Sequence, residues 1–120
     1  MKPVTENQLL NLSLSFSKEI VLYHIQLKQW RHYWLADQIL RAGTSIGAQV
    51  FEAQHAESRK DFIHKLKIAA KEANECYYWL KVLNVMDTIG DTSSLESNLN
   101  SIIRLLSKII QTSTLNLTKR

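Results

Sequence analysis

The side chains best suited to chemistry form a line of polar residues in the second half of the chain. Lysine, histidine, asparagine and tyrosine recur there in steps of three and four: Lys60, His64, Lys67, Lys71, Asn74, Tyr78 and Lys81. Such steps place side chains on one face of an α-helix. Lysines on one line can follow a phosphate backbone, and a tyrosine among them can stack on a base. Because Asp61, Glu72 and Glu75 lie on the adjoining flank, the alternative interpretation is a solvated helix face without a ligand.

Metal-binding and catalytic patterns are weak in comparison. Glu52 and His55 match half of a di-iron bundle motif, but no second Glu-x-x-His is present. The four histidines share no ligand spacing: His24, His32, His55 and His64. Cys76 falls on an apolar stripe, which indicates a buried residue rather than a nucleophile. The sequence therefore predicts no enzymatic activity, no metal and no cofactor.

Hydrophobic spacing predicts four helices and no strand. The expected ranges are 5–31, 35–55, 59–86 and 93–116, within a single domain of residues 1–120. Ser58 with Asp61, and Ser93 with Glu96, resemble helix N-terminal caps, as does Thr5 with Gln8. Gly90 is expected to end the third helix in a polar loop from Asp87 to Thr92. Because the connections are short, consecutive helices should be antiparallel neighbours. The predicted fold is an all-α, antiparallel up-and-down four-helix bundle.

Each predicted helix has one apolar stripe that should face the core. The stripe of the first helix is Leu9, Leu12, Phe16, Ile20, Tyr23, Leu27 and Trp30. The stripe of the second is Leu35, Ile39, Ala42, Ile46, Val50 and Ala53. The stripe of the third is Phe62, Leu66, Ala69, Ala73, Cys76 and Leu80. The stripe of the fourth is Leu99, Ile102, Ile103, Leu106, Ile109 and Ile110.

Composition and charge narrow the protein class. The chain has 120 residues, one cysteine and a formal net charge of +4, with a pI near 9.3. A single cysteine cannot form an internal disulfide, which fits a reducing compartment. No apolar run approaches the roughly 20 residues that a membrane span needs. We therefore expect a cytoplasmic protein without a membrane partner, whose mild basic bias permits an anionic ligand.

Three of the predicted helices have more apolar surface than one core requires. The surplus residues are Leu10, Leu14, Val21 and Ile25 on the first helix, Leu40, Gly47 and Phe51 on the second, and Ile68, Trp79, Val82 and Met86 on the third. Single exposed apolar residues are common. Alignment at helical spacing on three helices favours a homo-oligomer interface instead.

Two glycines lie inside the second helix, at positions 43 and 47. Each costs about 1 kcal/mol relative to alanine in a helix interior. Close approach of another helix would offset that cost, and the approaching helix could belong to the same chain or to a partner.

The stretch from Gln38 to Leu83 carries a family resemblance. Its matching elements are Leu40-Arg41-x-Gly43-Thr44-Ser45-Ile46-Gly47, Glu52-Ala53, Ala56-Glu57-Ser58, Asp61-Phe62-Ile63, Lys65-Leu66-x-Ile68-Ala69, Lys71-Glu72-Ala73, Glu75 and Tyr78-Trp79-Leu80. These elements resemble the bacterial four-helix bundle proteins encoded in intervening sequences of 23S ribosomal RNA genes. The accessory variability protein of diversity-generating retroelements is similar to the same group.

The resemblance implies a four-helix bundle, a ring-like homo-oligomer that we expect to be a pentamer, and no enzymatic activity. For the retroelement relatives it implies binding of RNA and of a reverse transcriptase through a basic surface. It also adds Arg41 to the candidate nucleic-acid contacts. We therefore predict an oligomeric RNA-associated adaptor, whose partners would be other copies of the chain, RNA and a nucleic-acid-processing protein. The alternative is a structural or protein-interaction module that binds no nucleic acid.

Overall fold

Four α-helices make up nearly all of the computed structural model, which describes residues 4–86 and 90–118, without the side chains of residues 4 and 5. They are α1 (Val4–Gln29), α2 (Tyr33–Ala53), α3 (Arg59–Asn84) and α4 (Ser93–Thr118). The described part of the chain contains no strand. The predicted ranges differ from these bounds by at most two residues at either end, so the all-α prediction is confirmed. The predicted cap at Thr5 depends on a side chain outside the described part of the structure, and the predicted loop start at Asp87 lies outside the described residues.

The helices pack as an elongated bundle of about 52 × 22 × 21 Å. Each helix packs against the next one along the chain, and α4 closes the arrangement by packing against α1. Within the described residues, the diagonal pairs α1–α3 and α2–α4 make no close backbone contact. The predicted up-and-down four-helix bundle is therefore confirmed, and α1 and α3 occupy opposite corners.

The core combines the predicted stripes of all four helices, with side chains such as Phe16, Ile46, Leu66 and Leu99 almost completely buried. The predicted core residues Leu12, Leu35, Ile103 and Ile110 are only partly buried at its edge. Trp30 was predicted to be buried but is 38% exposed, because it follows the last residue of α1. Ser13 occupies a core position on α1 that its polarity conceals in the sequence.

The glycines of α2 permit close packing on α1. A Cβ at Gly43 would lie 2.7 Å from Ile20 Cγ1, and one at Gly47 would lie 3.0 Å from Ser17 Oγ. The close approach that we predicted at both positions is therefore made within the chain, between α1 and α2.

Two of the predicted N-caps, at the starts of α3 and α4, can be compared with the structure, and one of them agrees. The Ser58 hydroxyl accepts a hydrogen bond from the Asp61 backbone N–H at 3.0 Å, as expected for the start of α3. The prediction for α4 was wrong by one residue, because Thr92 precedes the helix and donates its hydroxyl to the Glu96 carboxylate at 3.1 Å. Among the described residues, no helix is long and apolar enough to cross a membrane.

Candidate nucleic-acid interface

The polar line predicted from the sequence lies on the solvent side of α3. The apolar residues of this helix face the core, so residues in steps of three and four on the opposite side remain exposed. The α3 line consists of Lys60, His64, Lys67, Lys71, Asn74, Tyr78 and Lys81, all of them exposed. From Lys60 to Tyr78 the line covers eighteen helical steps, or about 27 Å at 1.5 Å per residue.

The lysines of the α3 line differ in their surroundings. Lys60, Lys67 and Lys71 make no ion pair with any carboxylate of the described residues. Lys81 does make one, with Nζ 3.4 Å from Glu96 Oε1 of α4 and 4.9 Å from the Tyr77 ring centroid. Hydrogen bonds with Tyr77 and Glu96 raise the pKa of Lys81. Three lysines of the line therefore carry positive charge that no carboxylate of the described residues neutralises, whereas the charge of Lys81 is partly neutralised by Glu96.

Arg41 does not extend the positive line, because it pairs with acidic residues of α3. Its guanidinium donates to Glu75, and its Nη1 lies 3.3 Å from Glu72 Oε2. These interactions, with Glu75 first, raise the pKa of Arg41. The position of Arg41 has two consequences: it is a weaker candidate for a phosphate contact, and it reduces the negative field on the α2 side of the α3 line.

An aromatic cluster lies at the C-terminal end of the α3 line. The ring centroids of Tyr78 and Trp79 are 5.3 Å apart, and Trp34 of α2 packs edge-on to Trp79 at 5.4 Å. Tyr78 and Trp34 are 60% and 64% exposed, whereas Trp79 is partly buried. Bases can stack on exposed aromatic faces without sequence preference. We call these three residues the aromatic platform.

The sequence prediction included Tyr78 but missed Trp34. Spacing along one helix cannot identify a neighbour on another helix. The antiparallel order of α2 and α3 does place the start of α2 beside the end of α3, and that signal could have identified Trp34.

Four of the predicted interface residues of α1 and α2 line one apolar groove. Its floor includes Gly47 and Ser17, and its walls include Leu10, Leu14 and Phe51. Leu14 and Phe51 are 70% and 58% exposed. Val21 and Ile25 continue the exposed apolar surface along α1, whereas Leu40 packs against the core. We call the surface between Leu10, Leu14, Gly47 and Phe51 the α1–α2 groove.

The predicted interface residues of α3 do not join this groove. Ile68, Trp79, Val82 and Met86 are partly buried along the flank of α3, and Trp79 and Met86 pack against the core. The surplus apolar residues therefore belong to two separate places: the exposed α1–α2 groove and the partly buried α3 flank.

The residues weighed for metal or covalent chemistry form no metal-ligand group among the described residues, and the cysteine among them is inaccessible. Within the described residues, no group of three or more histidine, cysteine, aspartate or glutamate side chains could hold a metal ion. Cys76 is buried, and desolvation, assisted by the charges of Glu75 and Glu72, raises the pKa of its thiol to about 12. At neutral pH this thiol is protonated and enclosed.

Comparison with known proteins agrees with the resemblance of the α2–α3 segment. The family model described as 23S rRNA-intervening sequence protein matches residues 5–108. No curated protein matches the chain. A crystal structure from Bacteroides thetaiotaomicron, described as a protein with unknown function from the S23 ribosomal protein family, is 41% identical, with a TM-score of 0.84. The match covers 90% of this chain and 99% of that one. The chain therefore belongs to the family of 23S rRNA-intervening sequence proteins.

Proposed function

We propose that this protein is a non-catalytic, cytoplasmic adaptor that assembles with copies of itself and binds single-stranded RNA along α3. The observation that carries the proposal is the α3 line itself. Lys60, Lys67 and Lys71 are exposed on one side of a single helix and unpaired among the described residues, and the line ends at exposed Tyr78. Lysines neutralise phosphates, and the released counterions drive binding. The family is named for 23S rRNA intervening sequences, which supports RNA as the nucleic acid.

The aromatic platform favours a single strand over a duplex. Lysines contact phosphates of either form, but bases can stack on Tyr78 and Trp34 only when they are unpaired and splayed out. Little sequence preference is expected, because contacts to phosphate carry no base information.

Assembly would compensate for the small charge of one subunit. Three free lysines are too few for tight binding at physiological salt, but linked copies raise avidity without new contacts. The α1–α2 groove is the surface that we assign to self-association. Because α1 and α3 occupy opposite corners of the bundle, contacts through the exposed residues of α1 would leave the α3 line accessible.

The test is a titration of fluorescently labelled single-stranded RNA with three proteins. The parent should bind at low salt, and the triple variant Lys60→Gln, Lys67→Gln and Lys71→Gln should bind about tenfold or more weakly, since each lost phosphate contact removes its share of counterion release. The matched control removes three positive charges elsewhere, through Lys18→Gln, Lys28→Gln and Arg104→Gln. It should bind almost as the parent does. Equal weakening by both triple variants would show that only net charge matters and would refute binding along α3.

A protein-interaction module is the second candidate, and the α1–α2 groove is the observation that favours it. Exposed Leu14 and Phe51 beside Gly47 offer an apolar surface of the kind that receives a helix of another protein, such as a nucleic-acid-processing enzyme. In this case the parent would show no RNA binding even at low salt.

A further inference from the structure

A small polar pocket lies at the end of the bundle where α1 and α3 begin and α4 ends. Its volume is about 240 Å³. Arg59, the first residue of α3, and Lys108 of α4 line it together with Glu6 of α1. Among the described residues, neither cation forms an ion pair with Glu6. We call this cavity the end pocket; its lining carries two positive charges and one negative charge.

Ser113 is the most buried polar residue of the end pocket lining. This side chain is only 6% exposed and lines the pocket together with exposed residues. A hydroxyl in the wall of a polar cavity can donate a hydrogen bond to a water or to an anion oxygen inside it. Thr112 and Asn116 add further polar groups to the lining.

Arg59 is already positioned for an anion. Its guanidinium lies 5.0 Å from the centre of the Phe62 ring, which restricts its movement. It is also the first residue of α3, where the helix dipole favours negative charge. The guanidinium of Arg59, the ammonium of Lys108 and the hydroxyls of the lining can all donate hydrogen bonds to the oxygens of a phosphate group.

We propose that the end pocket binds a phosphomonoester, namely the terminal phosphate of the RNA strand that lies along α3. The inference rests on the proposed function, because Lys60, the first residue of the α3 line, directly follows Arg59. The small end pocket can accept a terminal phosphate, from which the RNA strand continues on one side only. An internal phosphodiester would need room for the strand on both sides. Glu6 opposes the second negative charge of a monoester and therefore limits its affinity.

The test compares three probes by calorimetry or fluorescence titration: inorganic phosphate, a short RNA with a 5′-phosphate, and the same RNA with a 5′-hydroxyl. A fourth RNA with a 3′-phosphate identifies which strand end is preferred. The parent should bind one phosphorylated RNA about tenfold more tightly than the hydroxyl form, as expected for hydrogen bonds to a charged group. Arg59→Gln and Ser113→Ala should remove this preference, and Glu6→Gln should increase it.

Matched controls separate the pocket from general charge effects. Lys18→Gln removes the same charge as Arg59→Gln at an exposed site on α1, and Asp91→Asn removes the same charge as Glu6→Gln at an exposed site before α4, at the other end of the bundle. Both controls should retain the preference of the parent.

The possible failures of the two proposals are distinguishable. If all RNAs bind equally and Arg59→Gln has no effect, the end pocket is refuted while RNA binding along α3 stands. If inorganic phosphate binds and Arg59→Gln abolishes it, but no RNA end is preferred, the pocket serves free phosphate and the strand-end assignment is overturned. If neither phosphate nor any RNA binds, both proposals fail.

Discussion

Gly43 illustrates how a single missing side chain determines the spacing of α1 and α2. A Cβ at this position would lie between 2.7 and 3.0 Å from three carbons of buried Ile20. We expect Gly43→Ala to lower the free energy of unfolding by up to about 2 kcal/mol, because overpacking costs about 1–3 kcal/mol and better helix propensity returns about 1. Urea unfolding followed by circular dichroism measures the change.

Gly47→Ala is the matched control for this prediction. The nearest atom to its new Cβ would be Ser17 Oγ at 3.0 Å, and a half-buried hydroxyl can rotate away more easily than buried Ile20. The effect should be smaller than at Gly43. A Gly43→Ala protein more stable than the parent would contradict the close packing of α1 on α2.

Tyr23 places an unsatisfied hydroxyl in the core. Its oxygen is buried without a hydrogen-bond partner among the described residues, and burial raises its pKa to about 12 from an ordinary value of 10. The unfolded state ionises Tyr23 near pH 10, whereas the folded state resists its ionisation until about pH 12. The free energy of unfolding is therefore unaffected by this group below pH 10 and falls as the pH rises from 10 towards 12. Tyr23→Phe should stabilise the protein by about 1 kcal/mol at pH 7, since an unsatisfied buried hydroxyl costs about 1–3.

The variant should also lose less stability than the parent between pH 10 and pH 12. Thermal unfolding across this range measures both effects, with exposed Tyr33→Phe as the control. Parallel pH curves for the parent and Tyr23→Phe would contradict the raised pKa.

At the residue scale, spacing predicted which side chains are exposed but not what they contact. The α3 line follows from helical periodicity alone, because every member lies opposite the core stripe. The pairing of Arg41 with Glu72 and Glu75, and the contact of Trp34 with Trp79, depend on how two helices are placed side by side. Periodicity within one helix contains no information on that placement.

At the scale of the elements, the end of α1 depends on an unusual residue. Arg31 has a φ of +67°, and its N–H donates to Lys28 O at 3.0 Å while His32 N–H donates to Leu27 O at 3.0 Å. These two hydrogen bonds form a Schellman motif, which glycine usually provides. Since the sequence has no glycine here, the break between the first two helices was the least clear boundary to predict.

The same observation predicts a stabilising substitution. A non-glycine residue in the left-handed conformation costs about 1–2 kcal/mol. Glycine removes this steric cost, but part of the gain is offset because glycine loses more conformational entropy on folding. Arg31→Gly should therefore raise the free energy of unfolding by up to about 1 kcal/mol, measured by urea unfolding. Arg31→Ala, which keeps a Cβ, should give no such gain. If the alanine and glycine variants are equally stable, the left-handed turn is not strained.

The start of a helix was predictable where a capping residue is followed by an acidic residue three positions later. Ser58 and Asp61 start α3 as expected, because both the hydroxyl and the acidic residue lie in the sequence positions that a cap requires. At α4 the local pattern is misleading: Ser93 precedes Glu96 by three residues, the spacing of a capping box, whereas Thr92 precedes it by four. Thr92 nevertheless takes the position before the helix, where its hydroxyl donates to Asn84 Oδ1 at 2.5 Å. This contact joins residues eight positions apart, and the local sequence contains no information on it.

At the scale of the whole molecule, the exposed apolar surface determines how copies would assemble. Leu14→Glu or Phe51→Glu places a charge in the α1–α2 groove, where burial without a partner would be costly. We expect either variant to reduce the assembly towards the 13.9 kDa chain mass while its helical circular dichroism is retained. Light scattering at micromolar concentration measures the mass.

Leu22→Glu is the matched control for assembly. Leu22 is also an exposed leucine of α1, at 58%, but it does not line the groove. This variant should assemble as the parent does. A parent protein that is monomeric at these concentrations would refute self-association, and the avidity argument for RNA binding would fail with it.

The salt dependence of RNA binding tests the central claim most directly. For single strands, the slope of log K against log salt changes by about 0.7 for each phosphate that is neutralised. If Lys60, Lys67 and Lys71 each contact one phosphate, the triple glutamine variant should have a slope about 2 units shallower than the parent with the same RNA. The matched control at Lys18, Lys28 and Arg104 should keep the slope of the parent. Equal slopes for the parent and the triple variant, or no binding by the parent at low salt, would contradict a nucleic-acid interface on α3.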